Sequence, residues 1–204
     1  MPLFGPDDPL PFRPRRVIVA GTSGAGKTTL ARRVARVLAV PHVEIDALFH
    51  GPEWTRSETF EADVDRFSAK SGWATEWQYS RVRGVLAERA DLLVWLDLPR
   101  AVVMWQVVGR TLRRRLRREV LWNDNVEPPL RTFFGNGGHI VRWAWSTHHK
   151  SALRVAPVQD LHPDLLVVRL RSRAAVKHWL AGPLSAVAAG SPVAERDTPS
   201  GHSA

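Results

Sequence analysis

The segment formed by residues 16–28, RVIVAGTSGAGKT, carries the strongest information about the fold. Residues 16–20 are a short apolar, β-branched run that predicts a buried strand, and a glycine-rich turn and a segment of helical composition follow it. Residues 21–28 match G-x-x-x-x-G-K-[ST] at every fixed position, in the strand–loop–helix context that the motif requires. The segment therefore predicts a phosphate-binding loop, which we favour over a chance glycine turn.

Each residue type in this loop has a physical role. Glycines allow backbone N–H groups to turn inward and approach a phosphate that a Cβ atom would obstruct. The helix that follows adds the positive end of its dipole. Lys27 is expected to reach the β- and γ-phosphates, and the Thr28 hydroxyl to bind Mg²⁺. The residues predicted to bind the nucleotide are Gly21, Thr22, Ser23, Gly24, Ala25, Gly26, Lys27, Thr28 and Thr29.

Outward from the loop, apolar runs alternate with segments of helical composition. This alternation predicts an α/β fold of three layers, in which a five-stranded parallel sheet is covered by helices on both faces. The further predicted strands are residues 42–45, 73–75, 92–96 and 165–170, and the further predicted helices are residues 28–39, 57–69, 79–90, 99–119 and 173–180. Ser57 is a possible N-cap of the second of these helices.

The composition bounds the class of protein. The chain has 204 residues, enough for one domain with a normal core. It contains no cysteine, which excludes disulfides, thiolate metal sites and thiol nucleophiles. His148 and His149 lack a third ligand at metal spacing, so Mg²⁺ held mostly by phosphates and water is the metal that we expect.

Both ends of the sequence lack the pattern of a folded element. Residues 1–14 contain five prolines and predict an extended leader, whose acids and prolines are unlike a signal peptide. Residues 182–204 are small, polar and proline-containing, which is typical of a disordered tail. The domain is expected to span residues 15–181. No apolar stretch has membrane-spanning length, so we expect a cytoplasmic protein with no membrane partner.

The charge is concentrated in one segment. The formal net charge is +9, and six arginines fall within residues 110–118. Such a cluster indicates an anionic partner, which composition alone leaves open between phosphates, nucleic acid and a membrane surface. Since it stands beside a phosphate loop, we interpret residues 110–135 as an arginine-rich lid, with Arg110 and Arg114 over the transferred phosphate and Arg117 next. A solvated helix face is the alternative.

The chain resembles P-loop kinases of the adenylate-kinase-like or shikimate-kinase-like group. More narrowly, it is similar to small bacterial proteins described as DNA topology modulation proteins or adenylate-kinase-like proteins. The matching stretches are GTSGAGKT (21–28), HVEIDALFHGPEW (42–54), LLVWLDLPR (92–100), RTLRRRLRRE (110–119) with LWNDNVE after it, and RWAW (142–145). The resemblance covers about residues 15–181. It implies a kinase fold with a mobile lid, and an acid near the second strand that contacts the acceptor.

Three acidic residues follow predicted strands, where ligands gather in open parallel sheets. Asp46 is predicted to contact the acceptor, with an N-cap or a surface position as the alternative. Glu76 is predicted to orient a Mg²⁺-bound water or to act as a base for the acceptor. The turn that begins at Glu76 differs in sequence from the proteins that the chain resembles, because Trp77 stands where those proteins usually have a glycine. Asp97 precedes Pro99 and is expected to cap the next helix rather than to catalyse.

Some polar and aromatic residues are weaker candidates. Trp54 is predicted to bind the acceptor together with His50, although a lone tryptophan or histidine more often packs or lies on the surface. The segment after the arginines is polar, as a lid should be, and its side chains fit a simple polar loop equally well. The residues of that segment are Asn123, Asn125 and Glu127. Separately, Trp143 and Trp145 are possible base-stacking residues.

These features predict an enzyme that transfers a phosphoryl group from ATP or GTP, with Mg²⁺, to a small acceptor. The acceptor is either a nucleoside monophosphate or a small hydroxylated metabolite. The alternative is a nucleotide-dependent nucleic-acid-binding or regulatory protein without kinase turnover. We disfavour a nucleic-acid partner, because the sequence contains none of the common nucleic-acid-binding motifs. Base preference, acceptor identity and oligomeric state are not fixed by the sequence.

Overall fold

The computed structural model describes residues 3–51, 55–117 and 152–190, with the side chains of residue 108 and residues 110–117 left out. Five strands form one parallel sheet in the order β2-β3-β1-β4-β5. They are β1 (Arg16–Gly21), β2 (His42–Val43), β3 (Trp73–Glu76), β4 (Leu92–Leu96) and β5 (Leu166–Leu170). The prediction of a five-stranded parallel α/β sheet is confirmed.

Helices cover both faces of the sheet. They are α1 (Lys27–Leu38), α2 (Ile45–Phe49), α3 (Phe60–Ser68), α4 (Ser80–Arg89), α5 (Arg100–Arg117), α6 (residues 152–161), α7 (Arg173–Ala181) and α8 (Pro183–Ala188). Strand side chains alternate between two apolar cores, as the two-residue period of a strand requires. In β1, Val17 and Val19 pack with α1 and α7, whereas Ile18 and Ala20 pack with α3 and α4.

The register of the central strands positions the candidate site. Val19 lies opposite Glu76 of β3 on one side and opposite Val94 of β4 on the other. The carboxyl ends of β1 and β3 therefore lie side by side, so the loop after Gly21 and the turn after Glu76 share one edge of the sheet. This is the edge at which open parallel sheets bind ligands.

Several predicted boundaries are wrong. The second strand ends at Val43 rather than at residue 45, because the helix α2 already begins at Ile45. The Ile45 side chain is fully buried. The helix predicted to begin at Ser57 begins at Phe60, so Ser57 is not its N-cap. Among the described residues, no helix combines the length and the hydropathy needed to cross a membrane.

The described parts of the predicted leader and of the predicted tail both pack on the domain. Phe4 forms a parallel bridge with Val168, and Leu10 and Phe12 are buried in the core. The prediction of disorder over residues 182–204 is wrong for its first part, because Pro183–Ala188 is the helix α8. Its Leu184 is fully buried against the core of the α1 face. Residues 191–204 lie outside the described residues.

Candidate active site

The phosphate-binding loop has the backbone that its motif predicts. Gly24 and Gly26 have φ angles of 81° and 94°, in the left-handed region that favours glycine. Gly26 is the N-cap of α1 and provides no side chain to cap the helix. The first N–H groups of α1 are thus not satisfied by a capping side chain, and such groups bind anions at helix N-termini. Thr29 is exposed in this first turn.

Lys27 is held inside the loop. Its side chain is 9% exposed, and its Nζ donates to the Thr22 carbonyl oxygen at 3.3 Å. The Ala25 N–H donates to the same carbonyl at 3.1 Å. These bonds fold residues 22–27 into a tight turn around the lysine, which concentrates positive charge beside the N-terminus of α1.

Glu76 is a buried carboxylate next to this loop. It is 1% exposed, its Oε2 accepts from the Ile45 N–H at 3.1 Å, and its Oε1 lies 3.4 Å from His42 Nε2. Burial raises the pKa of Glu76, but the close His42 side chain and hydrogen bonding from the Ile45 N–H and Thr28 together outweigh burial and hold the pKa below its ordinary value. The contact of Oε1 with His42 lacks good hydrogen-bond geometry. Glu76 is therefore charged, with one oxygen poorly satisfied.

Asp46 lies on a helix rather than at the end of a strand. It is in the first turn of α2, and its Oδ1 accepts hydrogen bonds from Gln78 Nε2 at 2.8 Å and from the Tyr79 hydroxyl at 2.6 Å. The premise that Asp46 closes the second strand is wrong, because β2 pairs with β3 only at His42 and Val43. Asp46 still lies near the edge of the sheet, since Gln78 and Tyr79 directly follow β3.

Tyr79 anchors an aromatic wall beside Asp46. Its ring stacks on Phe49 with centroids 4.0 Å apart and meets Phe60 edge-on at 5.3 Å. His50 contacts the edge of Phe49 at 5.0 Å. Burial, the hydrogen bond to Asp46 and the charges of Asp46 and Glu76 all raise the pKa of the Tyr79 phenol, which stays neutral as a donor.

The backbone of Tyr79 is strained, with φ at 57° in a residue that carries a Cβ. Such strain costs about 1–3 kcal/mol and persists where the surroundings enforce it. Neither the strain nor the bonds to Asp46 from Gln78 and Tyr79 is signalled in the sequence, because residues about 32 positions apart meet only in the folded chain.

Asp97 is not a helix cap. Its Oδ2 accepts from Arg169 at 2.9 Å (Nε) and 2.5 Å (Nη2), and α5 begins only at Arg100. The Arg169 guanidinium also lies over the Trp95 ring, 4.6 Å from its centroid. Asp97 therefore fastens β4 to β5, a structural role.

Other predicted site residues fall outside what the structure describes. The backbone of α5 carries Arg110, Arg114 and Arg117, but their side chains are not described, so the arginine-rich lid stays a prediction. The remaining residues lie wholly outside the described ranges. They are Trp54, Asn123, Asn125, Glu127, Trp143, Trp145, His148 and His149.

Comparison with known proteins adds little beyond this geometry. A search against protein-family models returns no match. A gluconokinase from Sinorhizobium meliloti 1021 is 18% identical, with a TM-score of 0.47, covering 88% of this chain and 96% of the gluconokinase. A sugar kinase from Janibacter sp. HTCC2649 is 22% identical, with a TM-score of 0.33, covering 69% of this chain and 95% of the sugar kinase. The narrower resemblance to DNA topology modulation proteins stays a prediction.

Proposed function

We propose that this protein is a small-molecule kinase, which transfers the γ-phosphoryl group of ATP or GTP to a small acceptor. The observation that carries the proposal is the pairing of a complete phosphate-binding loop with the buried, charged Glu76 beside its Thr28. A loop alone would fit any nucleotide-binding protein. A buried carboxylate next to the loop hydroxyl adds the oxygen chemistry that phosphoryl transfer uses.

The nucleotide side of the site is the loop itself. The backbone N–H groups of residues 24 and 26–28, together with Lys27, would bind the β- and γ-phosphates. The Thr28 hydroxyl and the Glu76 carboxylate are hard oxygen donors of the kind that Mg²⁺ prefers, directly or through water, so they fit the ion that the nucleotide requires. A bound Mg²⁺ would neutralise charge on the phosphates. Glu76 would hold its water shell in place, which explains a charged carboxylate at so buried a position.

The acceptor side is formed by Asp46 and the aromatic wall of Phe49, Phe60 and Tyr79. Both hydrogen bonds to Asp46 reach Oδ1, and among the described residues none donates to Oδ2. Oδ2 would therefore be the oxygen that receives an acceptor hydroxyl. The phosphoryl group moves when this hydroxyl oxygen bonds to the γ-phosphorus, the bond from that phosphorus to the β–γ bridging oxygen breaks, and the hydroxyl proton passes to Asp46.

Two arginines, Arg83 of α4 and Arg154 of α6, favour an acceptor that carries an anionic group. The Arg83 guanidinium lies 5.6 Å from the centroid of the Trp77 ring, in the turn after Glu76. Partial burial and the neighbouring charge of Arg154 lower the pKa of Arg83. Two cations held near each other repel, which raises the free energy of the folded protein unless an anion lies between them. A hydroxylated metabolite that already carries an anionic group fits this charge better than a neutral metabolite does.

The test is product formation from Mg·ATP or Mg·GTP across nucleoside monophosphates and phosphorylatable metabolites. Lys27→Ala should lower turnover about 10²-fold or more, because it removes a charge that stabilises the transferring phosphoryl group. Lys70→Ala removes an exposed lysine at the end of α3 and should leave turnover unchanged. Full turnover in Lys27→Ala would rule out the assignment. Calorimetry that finds ATP binding without any product would instead indicate a nucleotide-binding protein without turnover.

A further inference from the structure

Helix α5 touches the phosphate-binding loop through two consecutive side chains. In the amide orientation that satisfies its neighbours, Gln106 Nε2 donates to the Gly24 carbonyl oxygen at 2.8 Å. The Gln106 Oε1 then accepts from both Nε and Nη2 of Arg173, at 3.1 Å each. Val107 covers Gly24 so closely that a Cβ atom on this glycine would lie 2.3 Å from Val107 Cγ2. Gln106 thus joins three elements, the loop, α5 and the start of α7.

The bond to Gly24 acts on the part of the loop that must be oriented. A phosphate-binding loop presents its N–H groups to the anion, so its carbonyl groups must point elsewhere and find donors there. Gly24 is in the left-handed region, where glycine is conformationally permissive, so its peptide needs an external tie. Gln106 provides this donor, and Arg173 fixes which end of the amide faces the loop.

The same helix carries the arginine series. Gln106 and Arg110 are one turn apart, about 6 Å along the axis, and at 3.6 residues per turn positions 113 and 117 fall on the same face. A change in the tilt of α5 would therefore reach Gly24 through Gln106 and reach the arginine positions through the helix itself. Arg173 has no carboxylate partner among the described residues, so its guanidinium adds uncompensated positive charge beside the loop.

We propose that Gln106 is a positioning residue for the nucleotide, which acts by holding the Gly24 carbonyl and is itself held by Arg173. The inference rests on the proposed function for the identity of the ligand. It goes beyond that function because it assigns to one side chain, the Gln106 amide, the contact that holds α5 against the loop. Nucleotide affinity should then depend on the donor of this amide and not only on the packing of α5.

The decisive variant is Gln106→Glu, because it keeps an acceptor for Arg173 but removes the donor to Gly24 and places a carboxylate against that carbonyl. We expect the Kd for Mg·ATP, measured by calorimetry, to rise at least tenfold, about 1.4 kcal/mol. Gln106→Ala should weaken the binding of Mg·ATP to a similar extent. Arg173→Lys should retain most of the affinity because it keeps a donor to the amide, whereas Arg173→Ala should lose several-fold. Arg171→Ala, which removes a mostly exposed positive charge two residues before α7, is the control.

The readouts separate positioning from folding and from catalysis. The unfolding temperature without nucleotide should fall only slightly in Gln106→Glu, by about 2–4 °C for each kcal/mol lost at the Gly24 carbonyl, because the bonds to Arg173 are kept. If the kinase is active, KM for ATP should rise more than kcat falls. Wild-type ATP affinity in Gln106→Glu would overturn the inference. A wild-type protein that binds ATP but phosphorylates no acceptor would remove the proposed kinase activity, and a tenfold weaker Kd in Gln106→Glu would still support the role of Gln106.

Discussion

Gly24→Ala tests the contact between α5 and the phosphate-binding loop directly. The new methyl group meets two separate penalties. At φ 81°, a residue with a Cβ atom lowers the stability of the fold by about 1–2 kcal/mol relative to glycine. The same atom would lie 2.3 Å from Val107 Cγ2, and overpacking of this kind costs about 1–3 kcal/mol. The variant should therefore be destabilised by about 2–5 kcal/mol.

Two further variants separate these penalties. Val107→Ala removes the atoms that the new methyl group would strike and should itself cost about 1 kcal/mol, since Val107 is half-buried. In the Val107→Ala background, Gly24→Ala should cost only the backbone penalty of about 1–2 kcal/mol. Gly84→Ala is the matched control, because within the described part of the chain no atom outside the helix's own backbone and the neighbouring residues lies within 4 Å of the added methyl group in α4. It should stabilise the protein by about 0.5–1 kcal/mol.

The assay is urea unfolding of the four variants and the wild type without nucleotide. Thermal unfolding gives a second measure, in which a chain of this size loses about 2–4 °C per kcal/mol. The difference between the two Gly24→Ala costs is the coupling free energy of Gly24 with Val107, and we expect about 1–3 kcal/mol. A Gly24→Ala cost below 1 kcal/mol, or the same cost in both backgrounds, would refute the docking of α5 on the loop.

Three further predictions concern other parts of the molecule. Glu76→Gln should lower kcat about 10- to 10²-fold, because it removes the charged oxygen that would hold the water shell of Mg²⁺. Because hydrogen bonding holds the Glu76 pKa below its ordinary value of 4.5, the charged group stabilises the fold above about pH 4.5, and this contribution is lost as the pH falls through the lowered pKa. The variant should show a flatter loss of stability in acid unfolding, and identical acid curves would contradict this. Tyr79→Phe keeps the stacking on Phe49 but loses the bond to Asp46, so it should cost about 1.5–3 kcal/mol in urea unfolding and raise KM for the acceptor. Leu184→Ala should cost about 2–5 kcal/mol, since Leu184 is fully buried, and an effect below 0.5 kcal/mol would show that α8 does not pack on the core.

Local patterns predicted the features that depend on neighbouring residues. The run at residues 16–20 and the glycine motif after it specify β1 and the loop, because both follow from the local spacing of apolar residues and glycines. The run at residues 92–96 gives β4 with the same bounds. These are the parts of the fold in which a segment's own sequence decides its conformation.

Contacts between distant segments account for what the sequence did not reveal. The bond from Tyr79 to Asp46 joins residues 33 positions apart, and Gln106 and Arg173 meet only because α5 and α7 flank the same loop. The segment after Gly182 has a composition typical of disorder, yet Leu184 and Val187 share one face of α8 and bury it. Two apolar residues spaced three apart are too weak a signal to predict so short a helix when most of the neighbouring residues are small or polar.

The environments of the two carboxylates divide the roles that the sequence left open. Glu76 was expected either to organise the water around Mg²⁺ or to act as a base for the acceptor. Its oxygens face the Ile45 N–H, His42 and the hydroxyl of the phosphate loop, and it is almost fully buried, which favours the first role. Asp46 is half-buried and tied at one oxygen by side chains rather than by backbone, so its other oxygen can meet a substrate. A base must reach the proton that it removes, and of the two only Asp46 lies against the aromatic wall, so we propose Asp46 rather than Glu76 as the base for the acceptor.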